Sequence, residues 1–311
     1  MLRLILLGLL AAAFFSSTFI LNEVMSLAGG HWFWSASLRY FFTVIFLSAW
    51  LFYQGGTRQF LELIALFRQH WAFWLLSGSL GFGLFYLLIC YAADFSPAWV
   101  VTATWQFTVV ASLFVYWFFG NKIPRRVWLF SGFIFTGVCL VNLSHTEHID
   151  IATLLSGGVP VLIAAFCYPL GNQMVWEAKR GQNPRIPKID SPLLDNALVK
   201  VFLLSLGSVP LWLIVGSFIQ PPAPSLSQVF NTGLVALLSG VIATGIFLHA
   251  RQKATNTSEL AAIDATQAGE VIFALAGGML FLNAGFPTHS ALIGLVILIA
   301  GLVLLVKYQR R

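Results

Sequence analysis

Asp264, Gln267 and Glu270 stand three residues apart within residues 258–282, a stretch otherwise apolar enough to cross a bilayer. A carboxylate at the centre of a membrane helix costs roughly 3 kcal/mol or more. At 100° per residue the three side chains cover an arc of about 120° and a rise of roughly 9 Å. Ala268, Ala274 and Gly278 fall on or near that arc, which suits a face packed on protein or lining a cavity. The result is a polar ladder from the cytoplasmic end of the helix to the bilayer centre, with Glu270 closest to the middle. Loss of hydration penalises the charged form of a carboxyl, so a group at this depth suits proton exchange during a transport cycle. The competing reading is structural: an internal ion pair, or a neutral acid supporting the fold. For Asp264 a place near the interface is a further alternative.

Arg39 stands near the middle of another apolar run, residues 32–53. A guanidinium at that depth needs a partner. Glu270, Glu23 or an anionic group of a substrate would serve, and a purely structural ion pair fits equally well. Lys200 lies nearer the end of its run and can extend its amine to the interface. Trp105 and Gln106 fall in the middle of residues 97–119. Trp105 would supply an aromatic wall for a cationic or ring-bearing molecule, or else a lipid-facing or core ring. Ser16, Ser17, Thr18, Tyr168, Asn172 and Gln173 are weaker candidates, since membrane hydroxyls commonly bond to their own backbone. "GSLGFG" at residues 78–83 mimics a dinucleotide fingerprint, but inside a helix it reads as close packing. His145, His148 and Asp150 form a ligand-like cluster that reads as a solvated loop. Cys90, Cys139 and Cys167 lie in apolar runs without a CxxC motif, so no metal, disulfide or cofactor is expected.

These residues need helices to hold them, and the composition names the solvent. Only 9% of the 311 residues are charged, 59% are hydrophobic, and the mean hydropathy is +0.85. A soluble domain needs far more surface charge. Ten apolar runs are long enough to span a bilayer: 4–22, 32–53, 70–92, 97–119, 126–143, 152–176, 196–219, 227–250, 258–282 and 287–307. The net charge of +6 does not point to nucleic acid, because its distribution follows the membrane. Lys and Arg cluster before the first run and after the second, fourth, sixth, eighth and tenth. The other loops carry none, and only Arg39 and Lys200 fall inside runs rather than at their ends. This alternation places both termini in the cytoplasm. Most tryptophans stand at run ends, as an interfacial belt does.

The chain also repeats itself. Residues 75–78 and 237–240 both read "LLSG", an offset of 162. At the same offset Gly83 meets Gly245, Phe85 meets Phe247, and Ala103-Thr104 meets Ala265-Thr266. The expected halves are 1–147 and 148–311, with the loop 177–195, rich in proline, as the linker. Each half holds five runs, so the second is inserted upside down. The expected fold is therefore an all-α integral membrane protein, with ten transmembrane helices in two inverted five-helix repeats. Such repeats mark secondary transporters, whose sites lie near the midplane between the halves.

"SLRYFF" at 37–42, "FFGNKIPRRVWLFSGFIFTGVCLV" at 118–141 and "FLNAGFPTHSALIGLVILIAGLVLL" at 281–305 resemble elements of the drug/metabolite transporter superfamily, in its ten-helix EamA-like form. "GGHWFWSASLRYFF", "AFCYPLGNQMVW" and "AIDATQAGEVIFAL" are similar to its bacterial multidrug resistance efflux group. Asn121 and Asn283 stand where the superfamily often has Glu. The first helix, "AAAFFSSTF", lacks the acid that four-helix relatives use for protons and drugs. The resemblance implies a secondary active exporter of small organic molecules, coupled to protons or to exchange, in the bacterial inner membrane. The alternatives are a non-transporting membrane sensor or scaffold, and an importer of a small metabolite. No nucleophile and base stand at recognisable spacing, so an enzyme is not expected. Glu270, Gln267, Asp264, Arg39, Trp105 and Gln106 are the residues expected to meet substrate or proton.

Overall fold

A computed structural model describes residues 2–120, 125–145, 151–253, 259, 263 and 265–308. Asp264, and His148 and Asp150 of the ligand-like cluster, therefore lie outside the described residues, while His145 ends a described helix. The described residues are mostly helical, with no strand among them. The helical runs are α1 (Leu2–Leu27), α2 (Trp32–Gln69), α3 (Trp71–Ala92), α4 (Ala98–Phe118), α5 (Arg125–His145), α6 (Ile151–Arg180), α7 (Ala197–Ile219), α8 (Leu226–Arg251), α9 (Thr266–Phe281) and α10 (His289–Tyr308). Seven of them, α1–α4 and α6–α8, are long and apolar enough to cross a membrane, while the apolar parts of α5, α9 and α10 are shorter. The outer surface is apolar: Leu213, Phe218, Phe230, Leu280, Phe281 and Val296 are all exposed. Surface of that kind requires lipid rather than water around it.

Helices approach one another where glycine removes the side chain. A Cβ on Gly171 of α6 would stand 2.5 Å from the Gly81 Cα of α3, and one on Gly207 of α7 would run into the Trp74 carbonyl of α3. "GSLGFG" thus serves close packing, as its setting in a helix predicts. α5 and α10 pack on each other through Gly137, Gly294 and Gly301, where an added Cβ would meet the facing helix at 2.6–3.0 Å. Absence of a hydrophobic driving force between membrane helices makes such close backbone contact the main source of cohesion.

Two pairs of irregularities recur between the halves of the sequence. α3 widens into a π-helical turn over Ser79–Leu84, and α8 does so over Ala236–Ala243. α4 tightens after Trp105, where Phe107 N–H donates to Thr104 C=O and Val109 N–H to Gln106 C=O. α9 opens with a 3₁₀ turn over Thr266–Ala268 before Gly269–Phe281 continues as α-helix. The offset of 162 carries Thr104 onto Thr266, so the tightened turns occupy corresponding positions.

Two segments differ from the sequence expectation. Residues 54–69, expected as a loop, continue α2 past a kink at Gly56, whose φ of +65° ends the first helical segment. The continuation is amphipathic: Leu63 and Leu66 are buried, while Arg58 and Glu62 are exposed and paired four residues apart. Too short an apolar stretch to cross a membrane still makes a surface helix when its apolar residues share one face. The linker after α6 is not a free loop. Ile189 and Leu194 are buried, Ile189 N–H donates to Ala178 C=O, and Lys179 pairs with Asp195. Trp99, expected in the interfacial belt, is buried in the core beside α5, α9 and α10.

Candidate functional site

A central cavity of about 280 Å³ draws its lining from α1–α4 and α6–α9. Arg39, Trp105, Gln267 and Glu270 all line it. Sequence separations of up to 231 residues thus converge on one space. Gln106 does not line the cavity. It is buried behind it, with its amide as a hydrogen-bonding neighbour of the Glu270 carboxyl. Of the expected site residues, only Asp264 is outside the described structure.

Glu270 owes its position to the tightened turn of α9, which ends just before Gly269. Thr266 closes that turn by donating to Ile263 C=O at 2.6 Å. Gly269 faces Leu9 and Ala12 of α1, which lets α9 lie close against that helix. Gln106 comes from the corresponding break in α4. Each break shifts helical hydrogen bonding and aims a polar side chain toward the interior, a device suited to polar sites at membrane depth.

Arg39 is held by neutral groups. Its Nη2 donates to Ser239 Oγ of α8 at 3.3 Å, and its Cζ lies 4.0 Å from the Tyr86 ring centre. Tyr86 in turn donates to Asn22 Oδ1 at 3.2 Å. Tyr40 stacks on Trp212 at 5.9 Å and keeps the other side of α2 fixed. Among the described residues no carboxylate lies within 4.0 Å of Arg39. Glu270 and Arg39 therefore share a cavity without pairing. Glu23 is committed elsewhere: it accepts from Ala98 N–H at 2.6 Å.

One wall is aromatic. Phe85, Trp105 and Tyr168 form a triangle with ring-centre separations of 4.9, 5.2 and 5.6 Å. Phe15, Phe19 and Phe247 also line the cavity. Sequence reasoning singled out Trp105 and Tyr168 but missed Tyr40, Tyr86 and Phe85. The signal available for Tyr40 was its adjacency to Arg39, and for Phe85 its internal match to Phe247. Of the weaker candidates, Thr18 and Tyr168 line the cavity. Ser16 and Ser17 bond to backbone carbonyls three residues back, Asn172 to the Tyr168 carbonyl, and Gln173 to Glu177.

Helices with an apolar exterior around a cavity with polar and aromatic walls are those of a multi-pass membrane protein. The chain belongs to the EmrE family of the drug/metabolite transporter superfamily, described as "Putative multidrug resistance efflux transporter", whose model matches residues 2–311. It is 37% identical to "Uncharacterized protein YjlA" of Bacillus subtilis (strain 168) over 97% of this chain and 94% of that protein. It is 33% identical to "Uncharacterized 42.1 kDa protein in intracellular alkaline protease 3'region" of Shouchella clausii, over 86% of this chain and 70% of that one. A solved structure described as "Crystal structure of protein" superposes with a TM-score of 0.61 at 14% identity, over 99% of this chain and 98% of that one. At that identity the likeness concerns the fold alone.

Proposed function

We propose that the protein is a secondary active transporter that exports small organic molecules across the bacterial cytoplasmic membrane. The observation that carries this reading is the cavity in which Arg39, Trp105, Gln267 and Glu270 meet within an apolar, lipid-facing bundle. Charged groups at membrane depth are costly to keep there, and substrate or ion binding is their usual use. In this reading the helices form ten spans in two inverted halves, 1–147 and 148–311, with both termini in the cytoplasm. The recurring π-helical and tightened turns support the duplication. The family description supports efflux.

Glu270 is the proton-exchanging group of this scheme. Its carboxyl is buried but faces the cavity, so protons reach it through the same space as substrate. Gln106 and Gln267 flank it and accommodate either form of the carboxyl, because an amide both donates and accepts.

Flux into vesicles made from purified protein tests the proposal. Export should depend on an imposed proton gradient and stop when an ionophore collapses it. Unchanged flux after collapse removes proton coupling, and no flux of any organic probe removes the transporter reading.

A further inference from the structure

We propose that the central cavity takes an aromatic carboxylate, with its carboxylate on Arg39 and its ring against Phe85, Trp105 and Tyr168. The binding claim stands on the cavity itself; only the statement that the bound molecule is then moved rests on the transporter reading.

Arg39 is short of acceptors. Its guanidinium is always charged and carries five donors in a planar fork that matches a carboxylate. In the described structure those donors have neutral partners: Ser239 Oγ at 3.3 Å, and Tyr86, whose hydroxyl is a hydrogen-bonding neighbour and whose ring centre lies 4.0 Å from Cζ. No described carboxylate is within 4.0 Å. Nearby on α1, the buried Thr18 Oγ1 and Asn22 Nδ2 have no hydrogen-bond partner, and Thr18 lines the same cavity as Arg39. This end of the cavity therefore offers a cation and neutral hydroxyls, with no described anion within 4.0 Å of Arg39. An anionic oxygen pair supplies what it is missing. A lipophilic cation would instead meet an uncompensated positive charge there, a repulsive element against that class.

Shape and size point the same way. The aromatic triangle offers ring faces and edges for offset or edge-to-face stacking. A volume of about 280 Å³ lies just below the usual range of ligand sites, roughly 300–1,000 Å³, which suits a one- or two-ring molecule rather than an extended dye. The carboxylate could belong to a simple aryl acid or to an aromatic amino acid. Glu270 separates these sources, because only the second carries an ammonium group for it to receive.

Calorimetric titration of the purified protein with phenylacetate, phenylacetamide, phenylalanine and tetraphenylphosphonium provides the test. Phenylacetate or phenylalanine should bind at least about tenfold more tightly than the neutral amide, since a hydrogen bond to a charged group is worth roughly 1.5 kcal/mol or more. Arg39→Gln should abolish that preference, and Arg39→Lys should restore part of it. If phenylalanine is the tighter ligand and Glu270→Gln weakens it alone, the amino acid is the source; if phenylacetate is tighter, it is the simple acid. Equal binding of acid and amide to the unmodified protein overturns the proposal, as does absence of carboxylate binding at millimolar concentration. So does tighter binding of tetraphenylphosphonium than of every carboxylate. These comparisons hold even if Arg39→Gln fails to fold. Carboxylate that binds but is not moved in vesicles would sink the transporter reading and leave this one; cation flux without carboxylate binding would do the reverse.

Discussion

Glu23 Oε on α1 accepts a hydrogen bond of 2.6 Å from the Ala98 backbone N–H in the first turn of α4. The residue before that turn is Pro97, which supplies no side-chain cap. A neighbouring helix thus provides the acceptor that the free N–H groups of a helix start require. Ser26 reinforces the same junction by donating to Asp94 Oδ1 at 2.6 Å. Glu23→Ala should cost about 1–3 kcal/mol by leaving the N–H bare, and Glu23→Gln only about 0.3–1 kcal/mol by removing the charge. Thermal melting in detergent measures both, and an alanine variant as stable as the parent would contradict the assignment.

Arg39 and Glu270 line one cavity without an ion pair, so each should be replaceable without stranding the other. Glu270→Gln is expected to abolish gradient-driven flux while the melting temperature holds. The double variant with Arg39→Gln should show coupling well below the roughly 3–5 kcal/mol lost when one member of a buried pair is removed. Recovery of a large stability loss in the double variant would mean that the two residues do pair. Normal proton-driven flux in Glu270→Gln would take the residue out of the coupling mechanism.

Gly171→Val should be among the most damaging single changes. Even the first added carbon would stand 2.5 Å from the Gly81 Cα and 2.9 Å from the Ser77 carbonyl. Overpacking costs roughly 1–3 kcal/mol where side chains can yield, and here the obstacle is backbone. Gly245→Val, with open space around its Cβ, is the matched control. Similar melting of the two variants would contradict the packing account.

Reporter fusions test the topology. A fusion after residue 147 should report the outside and one after residue 183 the cytoplasm. The opposite pattern would overturn the orientation argued from the basic residues.

Helix ends were largely legible because a bilayer enforces long apolar runs. The expected 70–92 and 97–119 became Trp71–Ala92 and Ala98–Phe118. Residues 54–69 were misread because charges at Arg58 and Arg68 look like a loop, whereas Leu63 and Leu66 reveal a helix only when placed on one face. Ile189 and Leu194 were hidden in the linker for a related reason: two buried residues in a polar stretch carry no period. At the site, Arg39 and Glu270 announced themselves through the cost of charge in lipid. Tyr86 and Phe85 did not, since an aromatic residue in a membrane helix is ordinary until a neighbour gives it a use. The π-helical turns had no visible signature, because backbone widening depends on packing between helices rather than on local residue type.

Those wide turns have a mechanical consequence. Phe82 lies in the one on α3, and Ser239 and Gly240 lie in the one on α8; all three face the cavity. Each turn holds surplus backbone, and a surplus residue rotates the rest of its helix by about 100°. It behaves as a dislocation does in a crystal. It can glide along the rod by swapping one carbonyl partner for the next, so no N–H is left bare in lipid while it moves. Wall side chains can thereby swivel while the glycine-locked stretches beside them stay seated. The bundle has slack stored in two of its struts, and it is stored next to the central cavity.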